Sequence, residues 1–254
     1  MMLIDTHCHL NDPAFESSLP DVIARAKAAN VLQFIVPAYD VDSLDRTARL
    51  ASSYPGIIFP AFGIHPWYVN GQIHDETILP FLRNKSTVAI GEIGLDFSPE
   101  CPPHLLQMES LKRQLDFARD LDLPVSIHCR KAYEPLYQIL LDHHGKIRGV
   151  IHSFSGKKDL MSRFLDLGFY ISFSGSVTRK TATKYHRNAA AVPLDRVLLE
   201  TDAPSIATET TAASEVEPCH LVEVARKMAE IRGISLEEIC EKTTENARRL
   251  FALR

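Results

Sequence analysis

The sequence predicts an α/β protein built as a single (β/α)8 TIM barrel with extra C-terminal helices. Short apolar runs alternate with longer segments whose apolar residues recur at three- and four-residue spacing, and eight such strand-and-helix units can be counted. The length of 254 residues is close to that of one such barrel, so one domain covering residues 1–254 is expected. An open, doubly wound parallel sheet is the alternative architecture.

Eight apolar runs of strand length follow one another along the chain. They cover residues 3–5, 34–36, 57–62, 88–90, 124–127, 149–151, 169–173 and 197–199. Because a helical segment separates successive runs, the strands are expected to lie parallel in one sheet. Eight units in a chain of this length favour closure of that sheet into a barrel.

Helices are expected between these strands, at residues 21–30, 42–53, 75–83, 135–143, 158–167 and 182–191. A longer amphipathic helix should connect the fourth and fifth strands. It is predicted by the three- and four-residue spacing of Leu105, Met108, Leu111, Leu115 and Ala118.

Further helices are expected after the eighth strand. Apolar residues at helical spacing mark one of them between residues 221 and 231. Ser235 and Glu238 have the spacing of a capping box that begins a short helix, and residues 244–253 form a last one.

Composition restricts the class of protein. Apolar residues make up 45% and charged residues 24%, which is typical of a soluble globular protein, and no apolar run approaches the length of a membrane span. The first nine residues lack the pattern of a signal peptide. The net charge of -4 does not fit a general nucleic-acid coat, so contact with nucleic acid would be local and helped by bound cations. No membrane partner and no obligate protein partner is indicated.

The cysteines indicate a reducing compartment. There are five of them, an odd number, and no two have C-x-x-C spacing. This pattern argues against a disulfide framework and against a thiolate zinc site, and it predicts a cytoplasmic location.

Candidate metal ligands begin with His7 and His9, which stand two residues apart at the end of the first strand. A strand alternates its side chains between two faces, so both imidazoles should point into the mouth of the barrel while Cys8 points away. Two imidazoles that converge in this way are suitable ligands for a divalent ion.

Four more polar residues come just after apolar strands. Glu92, His128, His152 and Asp202 follow the fourth, fifth, sixth and eighth strands, at the end of a barrel where active sites are built. Unrelated histidines would fall on helices and loops equally often. Several do so and are interpreted as solvent-exposed or packing residues: His74, His104, His143, His144, His186 and His220.

Six ligands exceed the four that one zinc ion takes. Four imidazoles and two carboxylates suit a pair of ions bridged by a carboxylate. Such a pair can hold the attacking and leaving oxygens of a phosphoryl transfer, and the same arrangement serves ester or amide hydrolysis. The mixed nitrogen and oxygen ligands allow zinc, manganese, nickel or magnesium, although four histidines argue against a site for magnesium alone.

Sequence motifs along nearly the whole chain resemble those of the TatD-type metal-dependent deoxyribonucleases, a family of amidohydrolase-like barrels. The resemblance is carried, in chain order, by Asp5-Thr6-His7-Cys8-His9, Gly63-Ile64-His65-Pro66, Gly91-Glu92-Ile93-Gly94-Leu95-Asp96, Pro124-Val125-Ser126-Ile127-His128-Cys129-Arg130, His152-Ser153-Phe154-Ser155-Gly156, Glu200-Thr201-Asp202-Ala203-Pro204 and Asn246-Ala247-Arg248-Arg249-Leu250-Phe251. It implies a hydrolase that cleaves DNA phosphodiester bonds with two divalent ions.

The resemblance also implies a role for each of the six residues. His7, His9, Glu92 and Asp202 would hold one ion, and Glu92 would bridge to a second ion held with His128 and His152. A water shared by the ions would attack phosphorus, and Asp202 would orient this water or take its proton. Asp202 and Glu92 are therefore the candidate catalytic residues, with DNA as the substrate.

Three other residues allow two interpretations each. His65 ends the third strand and contacts substrate or supports a ligand, or it only packs beside Pro66. Arg130 meets a phosphate oxygen or forms a salt bridge at the rim. Asp96 orients a ligand histidine or caps a loop.

The segment after Asp202 departs from the family pattern. The family commonly has an aromatic residue, then Arg-Gly, then Asn before Glu-Pro, whereas this chain lacks the Arg-Gly and has Val216 in place of the Asn. Three carboxylates, Glu209, Glu215 and Glu217, should repel a polyanion unless they turn away. A group of basic residues, interpreted here as a solvated surface in preference to a phosphate-binding patch, follows later strands: Lys157, Lys158, Arg179, Lys180, Lys184 and Arg187.

This departure keeps other functions open. One alternative is hydrolysis of a small phosphoester, of an ester such as aminoacyl-tRNA, or of a cyclic amide. Another is a binding or scaffold protein without activity, against which the intact set of six ligands argues.

Overall fold

The computed structural model describes residues 2–71 and 75–253. Its eight β-strands form one sheet in chain order, and each strand is parallel to the next. The strands are β1 (Leu3–Asp5), β2 (Val31–Pro37), β3 (Ile58–Phe62), β4 (Ala89–Asp96), β5 (Val125–Arg130), β6 (Gly149–Ile151), β7 (Tyr170–Phe173) and β8 (Val197–Leu199).

Hydrogen bonds between the first and last strands bring the two edges of the sheet together. The Thr6 N–H donates to the Leu199 carbonyl over 3.2 Å, and beyond the strand ends the Asp202 N–H donates to His7 O over 2.9 Å. The sheet is therefore a nearly closed (β/α)8 barrel. The predicted fold class is confirmed, and the alternative of an open, doubly wound sheet is wrong.

The helices surround this barrel. They are α1 (Leu19–Ala28), α2 (Val41–Ser53), α3 (Asp75–Leu82), α4 (His104–Leu121), α5 (Tyr133–Leu141), α6 (Lys158–Asp166), α7 (Thr183–Ala191), α8 (Leu221–Arg232) and α9 (Leu236–Phe251). The predicted long helix is α4, but its first apolar residue, Leu105, is exposed because the buried side of the helix starts two residues later, at Gln107.

The extra C-terminal helices number one fewer than the sequence predicted. The segments expected to form a short helix and a final helix are a single helix, α9, because no glycine or proline interrupts residues 236–251. The Ser235 side chain caps its first turn by accepting a hydrogen bond from the Glu238 N–H over 3.0 Å.

Two apolar clusters hold the layers together. The larger one lies between the sheet and the surrounding helices. The smaller one fills the inside of the barrel with Ile4, Ile35 and Leu198, and α9 covers it from below with Leu250 and Phe251. The apolar interior therefore leaves only the opposite, carboxyl end of the barrel for polar side chains.

Strands β4 and β5 are longer than predicted at that carboxyl end. Their pairing continues as far as Asp96 opposite Arg130, so Glu92 and His128 lie within strands and not after them as the sequence suggested. Gly94 allows this close pairing because a Cβ atom at its position would lie 2.0 Å from the His128 carbonyl oxygen.

Two other sequence predictions concern properties of the whole chain. All five cysteines are free, as their count and spacing predicted. Within the described ranges, no helix has both the length and the apolar character that a membrane span requires.

Replacing Gly94 by alanine should destabilise the fold. The added methyl group overlaps the backbone of β5 and also meets a φ of +150°, so the free energy of unfolding should fall by about 3 kcal/mol. Urea denaturation measures this change. Gly56→Ala is the matched control, since Gly56 has a φ of +75° with nothing within 4 Å, and it should lose only about 1 kcal/mol. Equal losses would contradict the overlap.

Candidate metal centre

The carboxylate of Glu92 lies at the middle of the site, and its two oxygens face different histidines. Oε2 lies 3.2 Å from His7 Nε2 and 3.5 Å from His9 Nε2. Oε1 lies 2.8 Å from His152 Nε2 and 3.1 Å from His128 Nδ1. Glu92 therefore joins two groups of nitrogen atoms.

Asp202 completes the group around His7 and His9. Its Oδ1 lies 3.4 Å from His9 Nε2 and 3.9 Å from His7 Nε2. The residue has a φ of +55°, and the hydrogen bond that it donates to His7 O holds its backbone against the extension of β1. All six residues selected from the sequence thus meet in one place.

His65 joins this cluster as a seventh member. Its Nε2 lies 3.5 Å from Glu92 Oε1, while its Nδ1 accepts a hydrogen bond from the Trp67 N–H over 3.1 Å. Because Nδ1 is an acceptor, the neutral ring carries its proton on Nε2, which faces the site. Burial lowers the pKa of His65 to about 3, which keeps the ring neutral.

Two of the cluster histidines contact, through Nδ1, polar residues that sequence reasoning did not select. His7 Nδ1 lies 3.2 Å from the Ser126 hydroxyl, and His152 Nδ1 lies 3.3 Å from Glu200 Oε1. Glu200 also accepts a hydrogen bond from the Ser153 N–H. Such partners fix the orientation and tautomer of an imidazole. A carboxylate directly after an apolar strand was the available signal for Glu200.

Asp96 makes the contacts that both of its interpretations require. Its Oδ2 lies 3.3 Å from His128 Nε2 and accepts a hydrogen bond from the Trp67 indole over 2.7 Å. Its Oδ1 accepts a hydrogen bond from the Ser98 N–H, which caps the following turn. Arg130 is half-exposed, with Nη1 4.0 Å from Asp96 Oδ2, as in the rim salt bridge considered for it.

Two buried glutamines of α4 support this end of the barrel and were also missed. Gln107 accepts from the Asp96 N–H and donates to the Asp96 carbonyl, each over 2.8 Å. Gln114 makes the same pair of bonds with Ile64, just before His65. They occupy the buried side of a helix where the apolar pattern predicts only packing residues.

The electrostatics of the cluster favour positive charge. Burial would raise the pKa of Glu92, but the surrounding imidazoles hold it well below its usual value. Burial would likewise lower the pKa of His152, but Glu92 and Glu200 raise it well above its usual value. The site therefore stabilises cations in a buried space.

The donor set fits divalent metal ions. In the part of the chain that the structure describes, three groups have ligand atoms within 4.8 Å of one another, and each combines imidazole nitrogen with carboxylate oxygen, as zinc and similar ions prefer. The groups are His7 with Glu92 and His152, His7 with His9 and Asp202, and His65 with Glu92 and His128.

Two of the three carboxylates in the acidic segment after Asp202 lie next to basic side chains. Glu217 accepts two hydrogen bonds of 2.7 Å from Arg25. Glu209 accepts one of 3.0 Å from the backbone N–H of Lys180, and its Oε1 lies 3.9 Å from Lys180 Nζ. Val216 is buried. The repulsion expected from Glu209 and Glu217 is therefore reduced.

The histidines that were interpreted as unrelated to the site lie elsewhere. His104 stacks on Phe97, and His143, His186 and His220 bond to backbone carbonyl groups near their own positions. His144 is exposed just after α5, and His74 lies outside the described residues.

Known proteins share both the sequence and the fold. The profile of a family described as TatD related DNase matches residues 4–252. The uncharacterized metal-dependent hydrolase YabD of Bacillus subtilis is 35% identical, over 99% of this chain and 100% of that protein. The human deoxyribonuclease TATDN3 is 33% identical, over 98% and 94%.

Solved structures of other proteins are also similar to this chain. The crystal structure of YJJV, a TatD homologue from Escherichia coli, superposes with a TM-score of 0.92 at 32% identity, over 99% of this chain and 98% of that one. The organophosphorus hydrolase of Deinococcus radiodurans, at 14% identity and a TM-score of 0.67, shares the fold. Together, the barrel and its buried donor set define a metal-dependent hydrolase. The chain belongs to the TatD-related DNase family.

Replacing Glu200 by glutamine should weaken metal binding about 10- to 100-fold, because the partner behind His152 loses its charge. Calorimetric titration of the metal-free protein with Zn²⁺ or Mn²⁺ measures this change. Glu217→Gln is the matched control, since it removes a carboxylate that pairs with Arg25 outside the cluster. Unchanged affinity in Glu200→Gln would show that this carboxylate does not support the site.

Proposed function

We propose that this protein is a deoxyribonuclease that hydrolyses DNA phosphodiester bonds with two divalent ions. The observation that carries the proposal is the position of the Glu92 carboxylate between two groups of histidines. One of its oxygens faces His7 and His9, and the other faces His128 and His152. A carboxylate with this arrangement is suited to bridge two ions. The name of the human relative, a deoxyribonuclease, supports DNA as the substrate.

Each ion would have its own ligands. His7, His9 and Asp202 would hold one ion together with Glu92 Oε2, and His128 and His152 would hold the other with Glu92 Oε1. This imidazole-rich set favours zinc, manganese or nickel over magnesium alone.

The buried carboxylates of the cluster favour bound cations. Glu92, Asp96, Glu200 and Asp202 are buried carboxylates around the cluster. Burial raises the pKa of the nearby Asp5 to about 8, so this carboxyl group is mostly neutral at pH 7. Bound divalent cations would compensate these carboxylates, whose burial without positive partners is unfavourable.

Individual residues of the chain would then have different roles in hydrolysis. Bound divalent ions supply Lewis-acid catalysis and lower the pKa of water. Asp202 would orient the attacking water and accept its proton, since the neighbouring histidines keep its pKa below the usual value despite burial. His65 would donate its Nε2–H to an oxygen on the substrate side.

A second candidate function is hydrolysis of a smaller ester. The cavity beside Glu92 and Asp202 has a volume of about 210 Å³, which suits a small substrate or the end of a larger one. Rates on DNA, small phosphoesters, aminoacyl-tRNA and cyclic amides, measured side by side with defined metals, distinguish the two functions. Much faster turnover of a substrate without phosphate would reject the nuclease.

Two wider properties belong to the same proposal. We take residues 1–254 as a single hydrolase domain, which the one continuous sheet supports. We also place the protein in a reducing cytoplasm, in keeping with its five free cysteines.

The metal-loaded protein should degrade DNA, and a chelator should abolish this activity. Asp202→Asn should lower kcat about 10³-fold, because the proton acceptor is lost. Release of nucleotides from labelled DNA measures both effects. Asp195→Asn, which changes an exposed aspartate two residues before β8, is the matched control and should retain full activity. A clean Asp202→Asn preparation that still cleaved DNA would overturn the assigned role.

The loaded protein should contain two ions per chain. Glu92→Ala should lose both, because both groups share this carboxylate, whereas His9→Ala should lose only one. Elemental analysis after gel filtration in metal-free buffer measures the ratio. If Glu92→Ala kept one tightly bound ion, the bridging role would be wrong.

A further inference from the structure

Three aromatic side chains stand at the mouth of the candidate metal centre. Trp67 and Tyr68 are 49% and 46% exposed, although both are large and mainly apolar. Together with Tyr39 they line the same cavity as His9, Glu92, His128 and Asp202. We refer to Tyr39, Trp67 and Tyr68 as the aromatic wall.

The wall is held in place by polar contacts. The Trp67 indole N–H donates to Asp96 Oδ2 over 2.7 Å, and this oxygen also lies beside His128. The Tyr39 hydroxyl accepts from Arg46 over 3.1 Å. The rings of Tyr39 and Tyr68 are 5.4 Å apart. The wall is therefore ordered before any ligand arrives, which reduces the entropy lost on binding.

The chemistry of the wall differs from that of the rest of the cavity. Its aromatic rings are mainly apolar, whereas the other lining residues are histidines, carboxylates and Ser205. Among the described residues that line this cavity there is no lysine or arginine. The wall thus offers stacking, and the phosphate group is left to the cation-binding centre.

We propose that the aromatic wall binds a nucleobase next to the phosphoester that is cleaved. This inference rests on the proposed function and extends it by naming the nucleobase as a part of the substrate that the protein binds. A base has a flat π face that stacks on tryptophan or tyrosine whatever its sequence. A bare phosphoester offers no such face.

The proposal is tested by measuring wild-type and variant enzymes on both intact and altered substrates. Oligodeoxynucleotides with one abasic residue on either side of the scissile bond are compared with the intact strand. On the intact strand Trp67→Ala should raise KM about tenfold, equivalent to about 1.4 kcal/mol of lost stacking. On the strand that lacks the stacked base, the two enzymes should differ less than about twofold in KM. An equal rise in KM on every strand overturns the proposal.

Two variants separate stacking from the contact with Asp96. Trp67→Phe keeps a ring but cannot donate to Asp96, so it should recover most of the wild-type KM. If it behaves like Trp67→Ala, the indole hydrogen bond is what matters and the wall is not a stacking surface. Tyr54→Ala is the matched control, since Tyr54 ends α2 away from the residues that line the cavity.

A binding measurement tests the wall without requiring DNA cleavage. Trp67 is the only tryptophan of the chain, so its fluorescence reports directly on the wall. Adenosine monophosphate should quench this fluorescence in the metal-loaded protein, and ribose 5-phosphate should not. Equal quenching by both, or none by either, overturns the inference. Quenching by the nucleotide alone in a protein that does not cut DNA would reject the nuclease and keep the wall.

Discussion

The structure of the carboxyl end of the barrel depends on compensating the buried charge of Glu92. An isolated carboxylate in such a place would be strongly unfavourable, so positive or hydrogen-bonding groups must surround it. They come from segments far apart in sequence: His7 from the extension of β1, His128 from within β5 and His152 from the end of β6. The hydrogen bonds between the β1 and β8 segments and the long pairing of β4 with β5 are what bring these groups to one carboxylate.

The sequence was informative where a polar residue interrupts an apolar pattern. His7, Glu92 and Asp202 stand out because each comes directly after or within a strand-like run, and the barrel fold then indicates the end at which they meet. Their position relative to the strand ends was less accessible. Glycines beside Glu92 look like the end of a strand, yet Gly94 is the residue that lets β4 continue against β5.

Supporting residues were harder to predict because their partners are distant in sequence. Ser126 looks like any small strand residue until His7, 119 positions earlier, is placed against it. Gln107 and Gln114 interrupt the buried side of α4, but only the fold shows that they satisfy backbone groups of the segments before and within the site. Long-range hydrogen bonds of this kind have no local signature in one sequence.

The covering of the barrel interior by α9 affects the order in which the protein can mature. Thr244 donates to the Met2 carbonyl, and Asn246 donates to the carbonyls of Leu194 and Val197, so the last helix ties the first strand to the eighth. The bond that joins Thr6 to Leu199 spans 193 positions. During synthesis His7 emerges long before Asp202, and their shared pocket does not exist until the segments that carry both residues have been made. Metal binding at that pocket would therefore follow the synthesis of β8 and α9, and a chain terminated before them would lack it.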